Sequence, residues 1–241
     1  MKLIKVKDYD EMTEWLVDFF TAQIRKKPDS VLSFTTGYTP AGLLDRLAEE
    51  INGGLDVSGC VFCNLDEYVG KKSGVYSVYH FMNEHLYDKI QNKPREIHMM
   101  DAEAEDKDRE LRRYSEVLKA HPRDIQLLGL GTNGHVGANE PGTPADSTLF
   151  VADSCESTIQ ATQDLFGLKR EETPVQMFTM GLTEIMEAEC VILAASGEKK
   201  AEAVKAVVEG EITEQVPASI LRNHKNFIFV VDEAAASLLS E

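Results

Sequence analysis

Ile125-Gln126-Leu127-Leu128-Gly129-Leu130, followed directly by the glycine-rich stretch 131–142, is the segment that decides the fold. A short and nearly continuous apolar run of this kind predicts a strand that is buried on both faces of a parallel sheet. Similar runs recur on both sides of it along the chain. They cover residues 31–34, 60–65, 97–100, 176–180, 190–195 and 227–231.

Helical patterns separate these strand-like runs. In residues 40–51 the apolar side chains recur at helical spacing, Pro40 suits the first helical position and Gly53 follows the end. Further helices are predicted at 76–90, 103–120 and 198–208. Strands that alternate with helices predict an α/β protein, here a single doubly wound domain over residues 1–241 with a mostly parallel sheet that helices cover on both faces.

The charge balance limits the partners of the chain. It carries 25 Lys and Arg against 41 Asp and Glu, a net charge of −16, which argues against nucleic acid and against an anionic membrane surface. No apolar run approaches the ~20 residues that a membrane span needs, and the N-terminus lacks the apolar stretch of a signal peptide. Cys60 and Cys63 form a CxxC pair that we interpret as structural, because no second pair completes a zinc site. We therefore expect a reduced, cytoplasmic protein.

Candidate binding residues follow the predicted strands. In a doubly wound sheet the ligand lies at the carboxyl ends of the strands, so the residues after positions 34, 65, 130 and 195 should converge. The stretch 35–40 offers hydroxyl and backbone N–H groups at a helix N-terminus, which suits either a phosphate or a simple helix cap. Lys199 and Lys200 begin the helix that follows position 195, where a lysine could neutralise a phosphate.

Candidate catalytic residues follow the other two strands. Asp66 and Glu67 are adjacent carboxylates that could hold a metal, provide a base or belong to a solvated loop. His135 and Glu140 lie close together on the glycine-rich loop, and such a pair suits proton transfer. The loop contains the pattern GxGxxG, which also occurs in dinucleotide-binding sites. Such a site requires a helix directly after the pattern, and Gly137, Pro141 and Gly142 prevent a helix here. The sequence therefore favours acid–base chemistry over redox chemistry.

Three stretches in this order resemble the glucosamine-6-phosphate deaminase family, also called glucosamine-6-phosphate isomerases. They are Asp66-Glu67-Tyr68-Val69-Gly70, the loop from Gly134 to Gly142, and Pro217-Ala218-Ser219-Ile220-Leu221 with His224. The resemblance runs over nearly the whole chain. It implies an enzyme that converts a hexosamine 6-phosphate, with glucosamine 6-phosphate as the first choice, into a ketose 6-phosphate and ammonia without a redox cofactor or a metal.

The resemblance also implies roles for individual residues. Asp66 would remove the C2 proton of the substrate and return it at C1. His135, oriented by Glu140 and assisted by Asn133, would open the sugar ring. The residues implied in phosphate binding are Thr36, Gly37, Tyr38, Thr39 and Lys200.

Several departures from the family leave alternatives open. Tyr38 replaces a small residue, which is tolerable only if its φ stays negative or its side chain points outward. The family usually has arginines where this chain has residues 146–150 and near Gln163. The alternatives are a galactosamine-6-phosphate deaminase, a 6-phosphogluconolactonase-like hydrolase and a non-catalytic sugar-phosphate sensor. Association of copies of the chain into a homo-oligomer is also open.

Overall fold

The computed structural model describes residues 1–154 and 156–240, and Cys155 lies outside them. The strands are β1 Lys2–Val6, β2 Val31–Phe34, β3 Val61–Asn64, β4 Asp66–Tyr68, β5 Glu96–His98, β6 Ile125–Gly129, β7 Phe150–Asp153, β8 Gln176–Thr179, β9 Cys190–Ala195 and β10 Phe227–Asp232. The α-helices are α1 Tyr9–Lys26, α2 Tyr38–Asn52, α3 Val78–Met82, α4 Lys107–Ala120, α5 Glu156–Phe166, α6 Leu182–Met186 and α7 Ala201–Glu209. Short 3₁₀ segments cover Arg170–Glu172, Glu198–Lys200 and Pro217–Asn223.

Seven strands form the central sheet in the order β1-β10-β9-β6-β2-β3-β5. Every neighbouring pair in it is parallel. The chain moves from β2 through β3 to β5 in one direction and from β6 through β9 to β10 in the other, so the strand order reverses between β2 and β6. Doubly wound proteins bind ligands at such a switch point, outside the carboxyl ends of the strands.

Two hydrophobic cores cover the two faces of this sheet. On β10 the side chains of Ile228 and Val230 belong to the core under α1 and α2, whereas those of Phe227 and Phe229 belong to the core under α4 and α7. This alternation follows from the two-residue period of a strand. The predicted α/β architecture, with a mostly parallel sheet and helices on both faces, is confirmed.

A second, smaller sheet was not predicted. Residues 176–180 were expected to join the parallel sheet, but β8 pairs antiparallel with β4 and with β7 in a separate three-stranded sheet. Asp66 and Glu67 therefore lie in the strand β4 and not in a solvated loop. A single residue, Leu65, separates the end of β3 from the start of β4, so the small sheet extends from the carboxyl edge of the large one.

The N-terminal strand and helix were also missed, and two predicted helices are shorter than expected. The predicted helix 76–90 is α3 followed by a π-helical turn at Asn83–Tyr87. The predicted helix 103–120 begins at Lys107, because the Asp106 side chain caps it by accepting the Arg109 N–H at 2.9 Å. Within the described ranges, none of the helices has both the length and the apolar composition that crossing a bilayer requires.

Candidate active site

Four neighbouring strands bring the predicted site residues to one edge of the sheet. The loops after β9, β6, β2 and β3 are adjacent because these strands are adjacent in the order given above. The Leu65 N–H donates to the Phe34 carbonyl at 2.9 Å, and the Met180 N–H donates to the Leu65 carbonyl at 3.0 Å. The chain that carries Asp66 is thus tied to β2 on one side and to the small sheet on the other.

Asp66 is a buried carboxyl group with little to stabilise its charge. It is 6% exposed, and its Oδ1 atom has no hydrogen-bond partner among the described residues. Burial, with a smaller contribution from the charge of Glu67, raises the pKa of Asp66 to about 7. A carboxyl group in this condition can accept or release a proton near neutral pH, which is the property that a general base requires.

Glu67 has a different task from its neighbour. Its carboxylate accepts backbone N–H groups from Tyr68 at 2.8 Å, from Val78 at 2.9 Å and from Tyr79 at 2.9 Å. It is fully buried, and its hydrogen bonds join β4 to the start of α3. Burial raises the pKa of Glu67, although the three N–H donors oppose the effect. Glu67 is therefore a structural carboxylate that also acts electrostatically on Asp66.

The glycine-rich loop places His135 above its own first turn. The Gly131 N–H donates to the His135 carbonyl at 2.8 Å, and the imidazole ring lies directly over the Gly131 α-carbon, where a Cβ atom would overlap Nδ1 and Cε1 of the ring. Glycine is needed at this position because the ring occupies the space of a side chain. The His135 position is thus set by the backbone of its own loop.

Asn133 and Glu140 flank the imidazole. The Asn133 Nδ2 group donates to Glu140 Oε2 at 2.7 Å, and the backbone N–H of His135 donates to Asn133 Oδ1 at 3.2 Å. His135 Nδ1 lies 3.4 Å from Glu140 Oε1, within ion-pair distance, but without the angle of a hydrogen bond. The structure therefore brings together the three residues that the motif 134–142 and its neighbour predicted as a group.

Thr179 connects the glycine-rich loop to the strand of Asp66. It is the direct cross-strand partner of Asp66 in β8, and its hydroxyl oxygen accepts the Ala138 N–H at 3.2 Å. Gly137 packs closely against both Thr179 and Leu65, since a Cβ atom there would lie 2.9 Å from Thr179 Oγ1 and 3.1 Å from Leu65 Cδ2. No motif marks this role, because Thr179 lies inside the apolar run 176–180, whose pattern predicts a strand of the parallel sheet.

The N-terminus of α2 is open to an anion. Gly37 occupies the N-cap position with φ 111°, and no side chain among the described residues caps the helix. The first turn contains no acidic residue. The first N–H groups of a helix have no partner within the helix, and together with the helix dipole they form a site for phosphate or a similar anion.

Tyr38 does not obstruct this helix end. Its side chain is 75% exposed, its φ is negative, and its ring stacks on Tyr9 with 4.8 Å between the ring centroids. The Tyr9 hydroxyl donates to the Tyr38 carbonyl at 2.8 Å and accepts the Gly42 N–H at 2.9 Å. Both conditions under which a tyrosine is tolerable at this position are thus met: its φ is negative and its side chain points outward.

Lys200 closes the 3₁₀ segment that follows β9. Asp232 fixes the turn before it by accepting the Ser196 hydroxyl at 2.5 Å and the Gly197 N–H at 3.0 Å. Lys200 is half-buried, and no carboxylate of the described residues lies within ion-pair distance of it. Burial lowers the pKa of Lys200. An unpaired, partly desolvated ammonium group is suited to an anionic ligand.

These features define a class of protein. Doubly wound α/β proteins bind small ligands at the switch point, and a buried carboxyl group with a pKa near neutrality is typical of enzymes that move protons. The chain thus has the architecture and the site of an enzyme that acts on small molecules. It belongs to the family of glucosamine-6-phosphate isomerases and 6-phosphogluconolactonases, whose family model matches residues 7–229.

Individual relatives agree with this assignment. The chain is 40% identical over 243 residues to the glucosamine-6-phosphate deaminase of Lactococcus lactis subsp. cremoris (strain SK11), with 100% of both chains covered. It is 35% identical to a monomeric glucosamine-6-phosphate deaminase of known structure, with a TM-score of 0.93 and coverage of 99% of this chain and 100% of the other. The 6-phosphogluconolactonase from Trypanosoma brucei shares the fold, with a TM-score of 0.79, 20% identity and coverage of 99% and 98%. The resemblance stated from the sequence motifs is confirmed.

Proposed function

We propose that the chain is a hexosamine-6-phosphate deaminase/isomerase, with glucosamine 6-phosphate as its substrate. The reaction adds one water to the hexosamine 6-phosphate and yields a ketose 6-phosphate and ammonia. The observation that carries the proposal is the buried Asp66 carboxyl group, whose pKa is raised to about 7. Full-length relatives that are named glucosamine-6-phosphate deaminases support the substrate.

Asp66 is the base in this proposal. It removes the proton from C2 of the open-chain aldose, and the electron pair forms a C1–C2 double bond as the aldehyde oxygen is protonated. The protonated Asp66 then delivers its proton to C1, which leaves a C2 iminium ion. This transfer to C1 restores the Asp66 carboxylate. Water then adds to C2 and the nitrogen leaves as an ammonium ion, so that the ketone forms. The ammonium ion returns to the solvent, as ammonia and a proton, the proton that the aldehyde oxygen had taken from it.

His135 prepares the substrate by opening the ring. It takes the proton of the C1 hydroxyl group and delivers it to the ring oxygen as the bond between C1 and that oxygen breaks. The hemiacetal thereby becomes the aldehyde on which Asp66 acts. Glu140 Oε1 lies 3.4 Å from Nδ1 and places a carboxylate beside the ring. Asn133 holds Glu140 through the 2.7 Å hydrogen bond to Oε2.

The phosphate group is held by backbone dipoles and one cation. The N–H groups of the turn Thr36, Gly37, Tyr38 and Thr39 supply donors at the open end of α2, and Lys200 supplies the charge. This arrangement does not require the arginines that the chain lacks at residues 146–150. Several N–H donors at a helix end take the place of the two parallel hydrogen bonds that an arginine would form with the phosphate.

The test measures ammonia release from glucosamine, galactosamine and mannosamine 6-phosphates and, in parallel, hydrolysis of 6-phosphogluconolactone. We expect ammonia from glucosamine 6-phosphate and at least about 10-fold lower kcat/KM with the other epimers. Lactone hydrolysis without ammonia release would refute the proposal. Ammonia release with galactosamine 6-phosphate alone would retain the chemistry and refute the substrate.

A second measurement tests the role of Asp66. In deuterated water the Asp66→Asn variant should lose exchange at C2 and lower kcat by about 10²–10⁴-fold, because one positioned base contributes a factor of this size. Its affinity for the substrate should stay within a few-fold of the unsubstituted protein. Asp146→Asn, which changes an exposed carboxylate, is the matched control and should leave both values unchanged. Normal turnover in Asp66→Asn would remove Asp66 as the base.

We also propose that the enzyme works in the cytoplasm. Cys60, Cys63 and Cys190 are free thiols. Burial raises the pKa of Cys60 to about 11 and that of Cys63 to about 12, which is opposite to the lowered pKa of a redox-active CxxC pair. Association into a homo-oligomer stays a prediction, which the mass of the protein in solution tests.

A further inference from the structure

A cluster of metal-ligating side chains lies at the edge of the central sheet, on the outermost strand β5. It consists of Glu96 and His98 from that strand and His121 from the end of α4, and the potential ligand atoms of the three residues all lie within 4.8 Å of one another. Glu96 pairs with Val61 at the beginning of β3, whereas Asp66 follows the opposite end of that strand. The cluster is therefore separate from the site described above.

The fold itself holds the three side chains together. Glu96 and His98 are two residues apart on a strand, so their side chains point to the same face of the sheet. His121 is the C-cap residue of α4, and its N–H donates to the Val117 carbonyl at 3.0 Å. The Tyr114 hydroxyl anchors α4 to the sheet by donating to the carbonyl of Asn64 at 2.6 Å. The three groups are thus brought together by secondary structure and not by flexible loops.

The Glu96 carboxylate is oriented for two histidines. Its Oε2 atom lies 2.9 Å from His98 Nε2 and 3.4 Å from His121 Nε2, and the two imidazole rings lie 4.9 Å apart between centroids. Arg95 holds the other oxygen through a 3.2 Å contact between Nε and Oε1.

We propose that Glu96, His98 and His121 bind one divalent transition-metal ion, with Zn²⁺ as the ion of choice. Two imidazoles and one carboxylate form a recognised three-ligand set for zinc, in which water completes the coordination. Ligand atoms at 2.0–2.2 Å from a tetrahedral zinc ion are about 3.4 Å from one another. The two distances to Glu96 Oε2, 2.9 Å and 3.4 Å, are close to this value, and the remaining distance, between the ligand atoms of the two histidines, is within 4.8 Å.

Exposure and charge favour entry of the ion. The side chains of His98 and His121 are 21% and 18% exposed, which leaves the open coordination positions to water. The net charge of −16 attracts cations to the surface as a whole. Bound metal would connect the edge strand β5 to the end of α4. We therefore expect it to stabilise this edge of the sheet without taking part in the proposed reaction.

The test is calorimetric titration of Zn²⁺ into tag-free protein that has first been treated with a chelator. We expect one ion per chain. His98→Ala and His121→Ala should each weaken the affinity by at least about 10-fold, because even indirect partners of a metal ligand contribute 10–100-fold. The matched control is His80→Ala. This histidine lies 3.7 Å from Glu84, and the described part of the chain places no third ligand beside the two. The variant should bind Zn²⁺ as the unsubstituted protein does.

A second measurement covers the case in which an alanine variant folds poorly. Glu96→Gln keeps the shape of the side chain but removes the anionic ligand, and it should lose the increase in Tm that Zn²⁺ gives the unsubstituted protein. The proposal is refuted by the absence of stoichiometric Zn²⁺ binding at millimolar concentration. Equal Zn²⁺ affinity in His98→Ala and in the unsubstituted protein would refute it too. Neither result bears on ammonia release, so the proposed function stands or falls separately.

Discussion

Replacing Asp66 with asparagine should make the protein more stable at neutral and alkaline pH, although it removes the proposed base. The Asp66 carboxyl group is 6% exposed, and its pKa is raised from 3.8 to about 7, chiefly by burial and secondarily by the charge of Glu67. The difference is about 3 pKa units, and each unit corresponds to about 1.36 kcal/mol. Keeping the ionised carboxylate in the folded protein therefore costs up to about 4 kcal/mol.

The sign of the effect sets its pH dependence. Below about pH 4 the carboxyl group is protonated in both the folded and the unfolded protein, so it contributes nothing. Between about pH 4 and pH 7 the unfolded protein releases the proton while the folded protein retains it, and the free energy of unfolding falls as the pH rises. Above pH 7 the group is ionised in both states and the full cost of about 4 kcal/mol remains. Asparagine has no charge and escapes this cost.

The assay is urea unfolding of both proteins between pH 5 and pH 9, followed by the fluorescence of Trp15. The stability difference between Asp66→Asn and the unsubstituted protein should increase towards pH 7 and then level off. A constant offset of about 1–3 kcal/mol is expected as well, because the buried amide lacks a partner at the position of Oδ1. This offset does not change with pH. Asp146→Asn should show no such increase, since Asp146 is exposed.

A stability difference that does not vary between pH 5 and pH 8 would refute the reasoning. It would mean that the folded protein binds the Asp66 proton no more tightly than the unfolded chain does. The carboxyl group would then be solvated or hydrogen-bonded in the folded state, and its suitability as a base at neutral pH would lose its physical basis.

Three further predictions concern catalysis. Lys200→Ala should raise KM about 10–100-fold with little change in kcat, because a charge-assisted phosphate contact contributes about 1.5–3 kcal/mol to the ground state and the transition state alike. Lys199→Ala changes an exposed lysine and is the control. An unchanged KM in Lys200→Ala would mean that the phosphate binds elsewhere. Gly131→Ala should displace the His135 ring and lower kcat at least about 10-fold. Gly129→Ala is the control and should do neither, because a Cβ atom there meets nothing within 4 Å. The measurements are the steady-state rates and the imidazole NMR signals of both variants, and unchanged His135 signals in Gly131→Ala would contradict the steric argument. The pH profile of kcat/KM should fall below about pH 7 as Asp66 becomes protonated, and a fall that begins only near pH 4 would contradict the assignment of the base.

The central sheet could be predicted because its strands are short apolar runs that are separated by helical patterns. The segment 125–130 has the expected middle position, with β9 on one side and β2 on the other. The small sheet escaped prediction for a physical reason. Strand β8 resembles a central strand in its apolar composition, and its Phe178 is fully buried. Its neighbours, however, are β4 and β7, which run antiparallel to it. The composition of a strand does not show whether its neighbours run parallel or antiparallel to it.

The candidate site was predictable where one motif contains the whole contact. Asn133, His135 and Glu140 lie within eight positions of one another, and their hydrogen bonds are formed inside a single loop. Contacts between distant segments were not predictable. The Thr179 hydroxyl and Asp232 fix the positions of the glycine-rich loop and of the turn before Lys200. Each of them lies at the end of an apolar strand with no motif around it. The cluster of Glu96, His98 and His121 was missed for the same reason, since 22 residues separate its two histidines.

An acidic protein that binds an anion needs local donors and few local competitors, and the helix ends of this chain differ in the required way. Helices α1 and α4 each have an aspartate cap and acidic residues in the first turn, whereas α2 has neither. The positive end of the α2 dipole is therefore available to a ligand. The remaining negative charges act weakly there, because exposed charges are screened beyond about 8 Å at physiological ionic strength. Asp66 is itself a carboxylate of the proposed site, but burial keeps it partly protonated near pH 7. The same desolvation that makes Asp66 a useful base thus also reduces its repulsion of the substrate.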